Sequence, residues 1–208
     1  MKSGEIKISD LMSESCVSFG TSGARGLSTQ ITDLVAYAYT MAFLQYLDLP
    51  DEDKMFGVAG DLRPSTGRIK NSVMEAAFDC GYTVVDFGCI PSPAIALYGI
   101  SRGIPTVMVT GSHIPADRNG IKFTKPSGEI SKADEQAIKE QVVFIPDGLF
   151  STNGQILRRL TGFSESDEGL VEYIARFRRA FPKDLLNGKK IGIYQHSAVG
   201  RDIMVEII

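Results

Sequence analysis

The stretch VMVTGSHIPADRNGIKF, residues 107–123, sets a serine beside a histidine directly after a β-branched run and a glycine, with a lysine shortly beyond. A serine hydroxyl is a weak nucleophile unless activated. Ser112 sits on a glycine-led loop at the end of a buried strand, with His113 next to it, and that siting suits covalent chemistry. Asn119-Gly120 is a hairpin signal and predicts a turn that carries Lys122 back toward the loop. A cation there would bind phosphate or move a proton. A plainer reading stands beside this one, with Ser112 forming an ST-turn and His113 lying on the surface.

Two further polar stretches fall where strands end or helices begin. In FGTSGARG, residues 19–26, three glycines let a ligand approach the backbone, and Arg25 offers a fork suited to phosphate. The spacing is neither the dinucleotide fingerprint nor a P-loop, and a flexible connection explains it equally well. In GDLRPSTGR, residues 60–68, Pro64 forces Arg63 into an extended conformation. Ser65 reads as a plain N-cap. Arg63 is either an ordinary surface charge or a brace for the neighbouring loop.

The elements that position these loops alternate between strand and helix. Residues 33–47 are apolar nearly all round, as in a helix buried within an α/β core. Short strands are expected over 55–61, 82–88 and 104–110. Helices are expected over 66–81, with Gly81 as the stop, over 92–101, with Ser92 as cap, and over 131–143, with Ser131 as cap. Such alternation implies βαβ units and a mixed or parallel sheet. After Pro146 the pattern lapses into Gly, Ser, Thr and Asp, which reads as a connection between domains. It restarts with a helix near 170–181, a strand KKIGIYQ (189–195), a loop HSAVG (196–200) and a helix from Arg201. The expected division is one α/β domain over 1–150, then a linker and the beginning of a second, similar domain over 151–208.

The 208 residues have ordinary globular composition, 43% hydrophobic and 23% charged. A net charge of −3 gives no footing for nucleic acid or an anionic membrane. Cys16, Cys80 and Cys89 are odd in number and contain no C-x-x-C pair, so neither a disulfide framework nor a zinc site is indicated. The N-terminus lacks the apolar core of a signal peptide, and no stretch approaches the ~20 apolar residues of a membrane span. A cytoplasmic protein is the expectation.

TGSHIPADRNGIKF resembles the active-serine loop of the α-D-phosphohexomutases, the phosphomannomutases and phosphoglucomutases. The match runs through Thr110, Ser112, His113, Pro115, Asn119, Gly120 and Lys122. It departs at Ile114, where the family usually has asparagine, and at Gly111, where alanine is commoner. FGTSGARG, GDLRPST and GCIPSPA resemble further family segments in the same order, the last with Ser92 in place of threonine, so the likeness covers roughly residues 17–208. It implies that Ser112 is phosphorylated, gives its phosphoryl group to a hexose phosphate and regains one from a hexose bisphosphate. Arg25, His113 and Lys122 would surround the transferring group, with Lys122 as the acid/base. Thr21, Ser22, Arg63 and Asn119 would bind substrate phosphate, and Mg²⁺ would bridge to the phosphoserine oxygens at Ser112.

The family's Asp-Gly-Asp-x-Asp-Arg metal loop is absent from this sequence, as are its sugar-recognition and phosphate-clamping domains. The expectation is therefore the N-terminal part of a longer mutase, acting on a phosphosugar, needing Mg²⁺ through carboxylates outside this chain, and inactive by itself. Phosphomannomutase is the first assignment and phosphoglucomutase the second. Phosphoglucosamine mutase fits less well, since its loop keeps the Ala-Ser-His-Asn form. Two other classes stay open: a serine hydrolase using Ser112 or Ser197 with His113 or His196, and a mutase-like module without catalysis. The sequence does not specify an oligomeric state.

Overall fold

The computed structural model describes residues 4–20, 23–50 and 54–208; Thr21 and Ser22, expected at the phosphate site, lie outside them. The chain runs β1 (Gly4–Lys7), α1 (Ile8–Ser15), β2 (Ser18–Phe19), β3 (Gly23–Leu27), α2 (Asp33–Leu47), β4 (Met55–Gly60), α3 (Thr66–Asp79), β5 (Thr83–Asp86), α4 (Ser92–Arg102) and β6 (Thr106–Val109). It continues through β7 (Arg118–Lys125), β8 (Gly128–Glu129), α5 (Lys132–Lys139), β9 (Val142–Ile145), β10 (Ser164–Glu165), α6 (Glu168–Ala180) and α7 (Arg201–Ile207).

The main sheet has the order β10-β5-β4-β6-β7-β3-β2, with β8 added to β7. β10, β5, β4 and β6 are parallel, and β7, β3 and β2 each run antiparallel to the strand before them. The fold is a mixed-sheet α/β architecture. β1 and β9 form a separate antiparallel pair.

Strand alternation builds two cores. Val58, Val107 and Val109 face α2 and α3, while Ala59 and Met108 face α4. α2, apolar on all sides, packs against α1, α3 and α5, which explains how so hydrophobic a helix is covered. Phe43, Phe56 and Phe123 have no exposed surface. Each contributes about 1.5–3 kcal/mol by leaving water.

β5 and β6 flank β4 on opposite sides. The chain leaves β4 through α3 in one direction, then returns through α4 to the other. At such a reversal the loops beyond the strands' carboxyl ends diverge and leave a crevice, the usual ligand site of open α/β sheets. The residues following β4 and β6, Asp61 and Thr110, meet there.

Three local expectations are corrected. The stretch 19–26 is not simply a loop: Gly20 N–H donates to the Gly23 carbonyl (2.7 Å), and Arg25 lies within β3, opposite Gly120. Asn119-Gly120 is not a turn but part of β7, with both residues buried. The reversal happens upstream, where Ile114 N–H donates to the Gly111 carbonyl and Arg118 N–H to the Pro115 carbonyl. Three strands crowd Gly120: a Cβ there would stand 2.9 Å from the Ala24 carbonyl oxygen and 3.0 Å from that of Thr110. Finally, residues 189–195 form no strand. Among the described residues none pairs with them, and an isolated strand leaves its backbone without partners.

The helix caps are partly as expected. Ser131 makes a full capping box with Asp134. Ser92 is the first helical residue and Pro91 holds the cap position, because proline already has a suitable φ and its carbonyl is free to accept. Beyond Pro146, Leu149, Phe150 and Leu160 enter the same core as α2 and α3. β10 then pairs with β5, and α6 packs on α4.

Candidate active site

Ser112 follows β6 by way of Thr110 and Gly111, and it has a left-handed backbone, φ 52°. For a residue with a Cβ this costs on the order of 1 kcal/mol or more, so the surroundings must impose it. They do so through Asp61. One of its carboxylate oxygens accepts from the Thr66 hydroxyl (2.6 Å) and the Arg63 N–H (3.0 Å). The other accepts from the Thr110 hydroxyl (2.9 Å) and the Gly111 N–H (3.0 Å). The Thr110 hydroxyl oxygen in turn accepts from the Ser112 N–H at 2.9 Å. Burial pushes the Asp61 carboxyl up, but these hydrogen bonds outweigh it and hold the group below the usual carboxylate range.

Arg63 completes the frame. One terminal nitrogen donates to the carbonyls of Pro115 (2.6 Å) and Arg118 (3.0 Å), the other to those of Ile114 (2.6 Å) and Ser112 (3.3 Å). Nε stands 3.3 Å from Asp61. A guanidinium has five N–H groups, and each has a partner. Of the two readings of Arg63, the brace describes its contacts; as a phosphate ligand it has no donor left over.

This arrangement requires the glycine at 111. A Cβ there would lie 2.2 Å from the Arg63 guanidinium carbon, well inside contact distance. The departure from the commoner alanine is thus tied to how closely the guanidinium lies against the loop.

His113 Nδ1 is 3.3 Å from the exposed Ser112 hydroxyl. The buried Asn119 amide donates to the hydroxyls of Ser65 (2.9 Å) and Thr66 (3.1 Å), and its oxygen accepts from the Gly120 N–H. Ser65 does hold the N-cap position of α3, but its side chain makes no capping bond and accepts from Asn119 instead. Arg25 passes over Gly120, its Cγ 3.2 Å from where a Cβ would be. Lys122 lies farther along β7, opposite Gly23 and Met108, and its ammonium pairs with Glu129 at 2.6 Å.

The structure therefore brings Ser112, His113, Arg63 and Asn119 into one bonded framework at the crevice. Arg25 sits on the adjoining strand, and Lys122 is engaged elsewhere. A cleft of about 670 Å³ opens here, with Asp61, Arg63, Ser112 and His113 on one wall and His196 and Ser197 on the other. Asp61 has no role among the expectations drawn from the sequence. An aspartate just past a strand, with a threonine five positions on and another threonine ending the next strand, was the signal available.

For Mg²⁺, the described residues contain no group of three or more His, Cys, Asp or Glu side chains placed to hold a metal. Both oxygens of Asp61, the carboxylate bonded to the serine loop, are already engaged. The described residues do not form a metal site on their own. No described helix is long and apolar enough to cross a membrane.

Comparison with known proteins gives the family. Residues 17–145 match the family described as phosphoglucomutase/phosphomannomutase, alpha/beta/alpha domain I. The chain is 43% identical over 195 residues to a phosphomannomutase of Sinorhizobium fredii, covering 91% of this chain and 40% of that protein. It is 40% identical over 194 residues to a phosphomannomutase of Salmonella muenchen, covering 93% and 38%. A phosphoglucosamine mutase of Helicobacter pylori is more distant, 28% identical over 203 residues. The chain thus spans about 40% of the length of the phosphomannomutases it matches. A crystal structure assigned as a phosphomannomutase from Thermus thermophilus shares the fold, with TM-score 0.66, 20% identity, and coverage of 83% of this chain and 38% of that one. The serine loop, its frame and every strand of the main sheet except β10 fall within the matched residues, and the chain belongs to the phosphoglucomutase/phosphomannomutase family, whose alpha/beta/alpha domain I it carries over residues 17–145.

Proposed function

We propose that this chain is the phosphoserine-bearing part of a phosphohexomutase, a phosphomannomutase in the first instance and a phosphoglucomutase in the second. The observation that carries the proposal is Ser112: an exposed hydroxyl on a strained, fully braced loop, at the crevice of the sheet and facing a cleft of sugar-phosphate size. The ordering between the two sugars rests on the 43% and 40% identical phosphomannomutases.

In the proposed reaction the Ser112 Oγ–P bond breaks as a sugar hydroxyl oxygen bonds to phosphorus, and the hydroxyl proton passes to a base. The resulting hexose bisphosphate turns over, and its other phosphoryl group returns to Ser112. Little covalent chemistry falls to the protein; positioning and charge neutralisation dominate. Ser112, held by Thr110, Asp61 and Arg63, supplies the positioning. His113, next to the serine oxygen, is one of the groups that surround the transferring phosphoryl. Arg25 lies on the adjoining strand for charge neutralisation, and Lys122 would serve as acid/base by exchanging Glu129 for substrate. Asn119 supports the loop through Ser65 and Thr66, and the expected phosphate contacts of Thr21 and Ser22 remain part of the proposal. So do Mg²⁺ dependence, priming by a hexose bisphosphate, a cytoplasmic setting and a division into two domains near residue 150, with Leu160, β10 and α6 reaching back onto the first domain.

The test is a coupled mutase assay on the full-length protein with mannose 1-phosphate and glucose 1-phosphate, in parallel with Ser112→Ala. Turnover that depends on Ser112 and favours mannose supports the proposal. Labelling of Ser112 by a fluorophosphonate, with no phosphate ever found on it, would favour a serine hydrolase instead.

A further inference from the structure

Arg25 and Lys122 share one face of two paired strands. Arg25 on β3 stands opposite Gly120 on β7, and Lys122 on β7 stands opposite Gly23 on β3. Residues directly opposite, and residues two apart on one strand, lie on the same face of a sheet. The two cations are therefore diagonal neighbours, a spacing that long side chains can bridge. The other diagonal holds two glycines. The strands press closely there: a Cβ on Gly23 would lie 2.2 Å from the Ile121 carbonyl oxygen, and one on Gly120 would lie 2.9 Å from that of Ala24. Across from each cation, then, stands no side chain.

Lys122 is nonetheless held away from the serine loop. Its ammonium pairs with Glu129 on β8 at 2.6 Å. β7 leaves the serine loop at Arg118 and runs to Lys125, and Glu129 lies opposite Thr124, two positions farther along than Lys122. The carboxylate thus draws the ammonium away from Ser112. The pair is partly open to water, with the two side chains 33% and 50% exposed, which makes it one of the weak, hydrated kind. A phosphoryl group on serine brings about 1.5 to 2 negative charges at neutral pH and three acceptor oxygens, against the single charge of a carboxylate.

We propose that Glu129 is a positioning residue that acts through Lys122: it stands in for the phosphoryl group while Ser112 is bare, and gives up the ammonium when a phosphoryl group reaches Ser112. This rests on the phosphohexomutase reading for the presence of that group. It gives a role to a carboxylate that the reading leaves without one, and it makes the ion pair respond to the phosphorylation state of the serine. Neutralising Glu129 releases Lys122 before the phosphoryl group arrives, so Glu129→Gln should tighten the binding of a hexose bisphosphate. A side chain that only supports the β7–β8 hairpin has no such effect; its loss weakens binding or leaves it unchanged.

The test is made on the full-length protein in a Ser112→Ala background, where no phosphoryl transfer can follow binding. The probe is glucose 1,6-bisphosphate, titrated by calorimetry. Glu129→Gln should lower the dissociation constant by about two- to fivefold, the range of an exposed ion pair. With Lys122→Met also present, the same substitution should change it by less than about 1.5-fold, because the partner through which Glu129 acts is gone. Unchanged or weaker binding in Glu129→Gln overturns the inference, and so does a gain that survives Lys122→Met. Either result leaves Ser112 as the phosphoryl carrier if the wild type turns over and bears phosphate there. A wild-type protein with neither turnover nor phosphate on Ser112 removes the phosphohexomutase reading and this inference together.

Discussion

The two Ser–His pairs, Ser112–His113 and Ser197–His196, share a cleft but are built in opposite ways. Ser112 is fixed from three directions: by the Thr110 hydroxyl at its N–H, by Arg63 at its carbonyl, and by the buried strands β6 and β7 beneath. Among the described residues Ser197 follows a segment without strand pairing, in a stretch that is exposed from 178 to 192 and again from 194 to 198, and leads into a helix of seven residues. The first design keeps a nucleophile in one place before substrate arrives, which is where rate is gained. The second is an exposed turn bonded to its own neighbours, Ser197 to His196 and Gln195 to Arg201. Strain marks the difference, since Ser112 has a positive φ and Ser197 does not.

The largest expected contrast comes from removing each hydroxyl. Ser112→Ala should lower turnover by on the order of 10⁴-fold or more, as loss of a covalent nucleophile does. Its melting temperature should stay near that of the wild type, because the change is on an exposed loop and falls within about ±0.5 kcal/mol. Ser197→Ala should retain most turnover. Equal loss in the two variants, in the same coupled assay, would erase the distinction between the walls.

Next in size is the brace. Arg63→Lys keeps the charge but cannot reach four carbonyls, so the loop should drift. A displacement of about 1 Å at the reacting group is worth roughly 10²-fold in rate. The loss should appear in kcat more than in KM, since Arg63 has no N–H free for substrate. A pure rise in KM would instead return Arg63 to the phosphate-binding role.

Gly111→Ala probes the same frame from the other side. The added methyl must displace the guanidinium, at a cost of about 1–3 kcal/mol of overpacking. Activity should fall by roughly tenfold, between the effects of Arg63→Lys and the wild type. If thermal unfolding and kcat are both unchanged, the close approach of Arg63 to residue 111 is not what holds the loop.

The smallest effect is a pH dependence. Asp61 is held below its ordinary range, so its folded pKa is lower than the unfolded value of about 3.9. The stabilisation it gives is fully present above that unfolded value and is lost as pH falls through the folded one. Asp61→Asn removes this component. Denaturant unfolding across the acid range should therefore show a shallower loss of stability in Asp61→Asn than in the wild type. Parallel acid limbs would contradict the account of Asp61.

Much of this was legible in the sequence because it is local. Periodicity located α2 at 33–47, and Ser131 announced the N-cap of α5. The serine loop stood out because glycine, serine and histidine follow a β-branched run. What failed to show depends on distant partners. Asn119-Gly120 has the composition of a hairpin turn, yet β3 and β6 close over it from both sides, and the glycine serves close strand approach. Residues 189–195 have strand composition but, among the described residues, no neighbouring strand. The carbonyls bound by Arg63 come from positions 112–118, and nothing in local spacing reveals that meeting.

The central claim is that Ser112 carries a phosphoryl group. Phosphopeptide mapping of the full-length protein, isolated without phosphatase treatment and then incubated with a hexose bisphosphate, tests it most directly. One phosphorylated residue is expected, Ser112, whose label is lost to glucose 1-phosphate or mannose 1-phosphate on mixing and is absent from Ser112→Ala. Phosphate on Ser197 or any other residue, or a Ser112 label that no hexose phosphate removes, would contradict it.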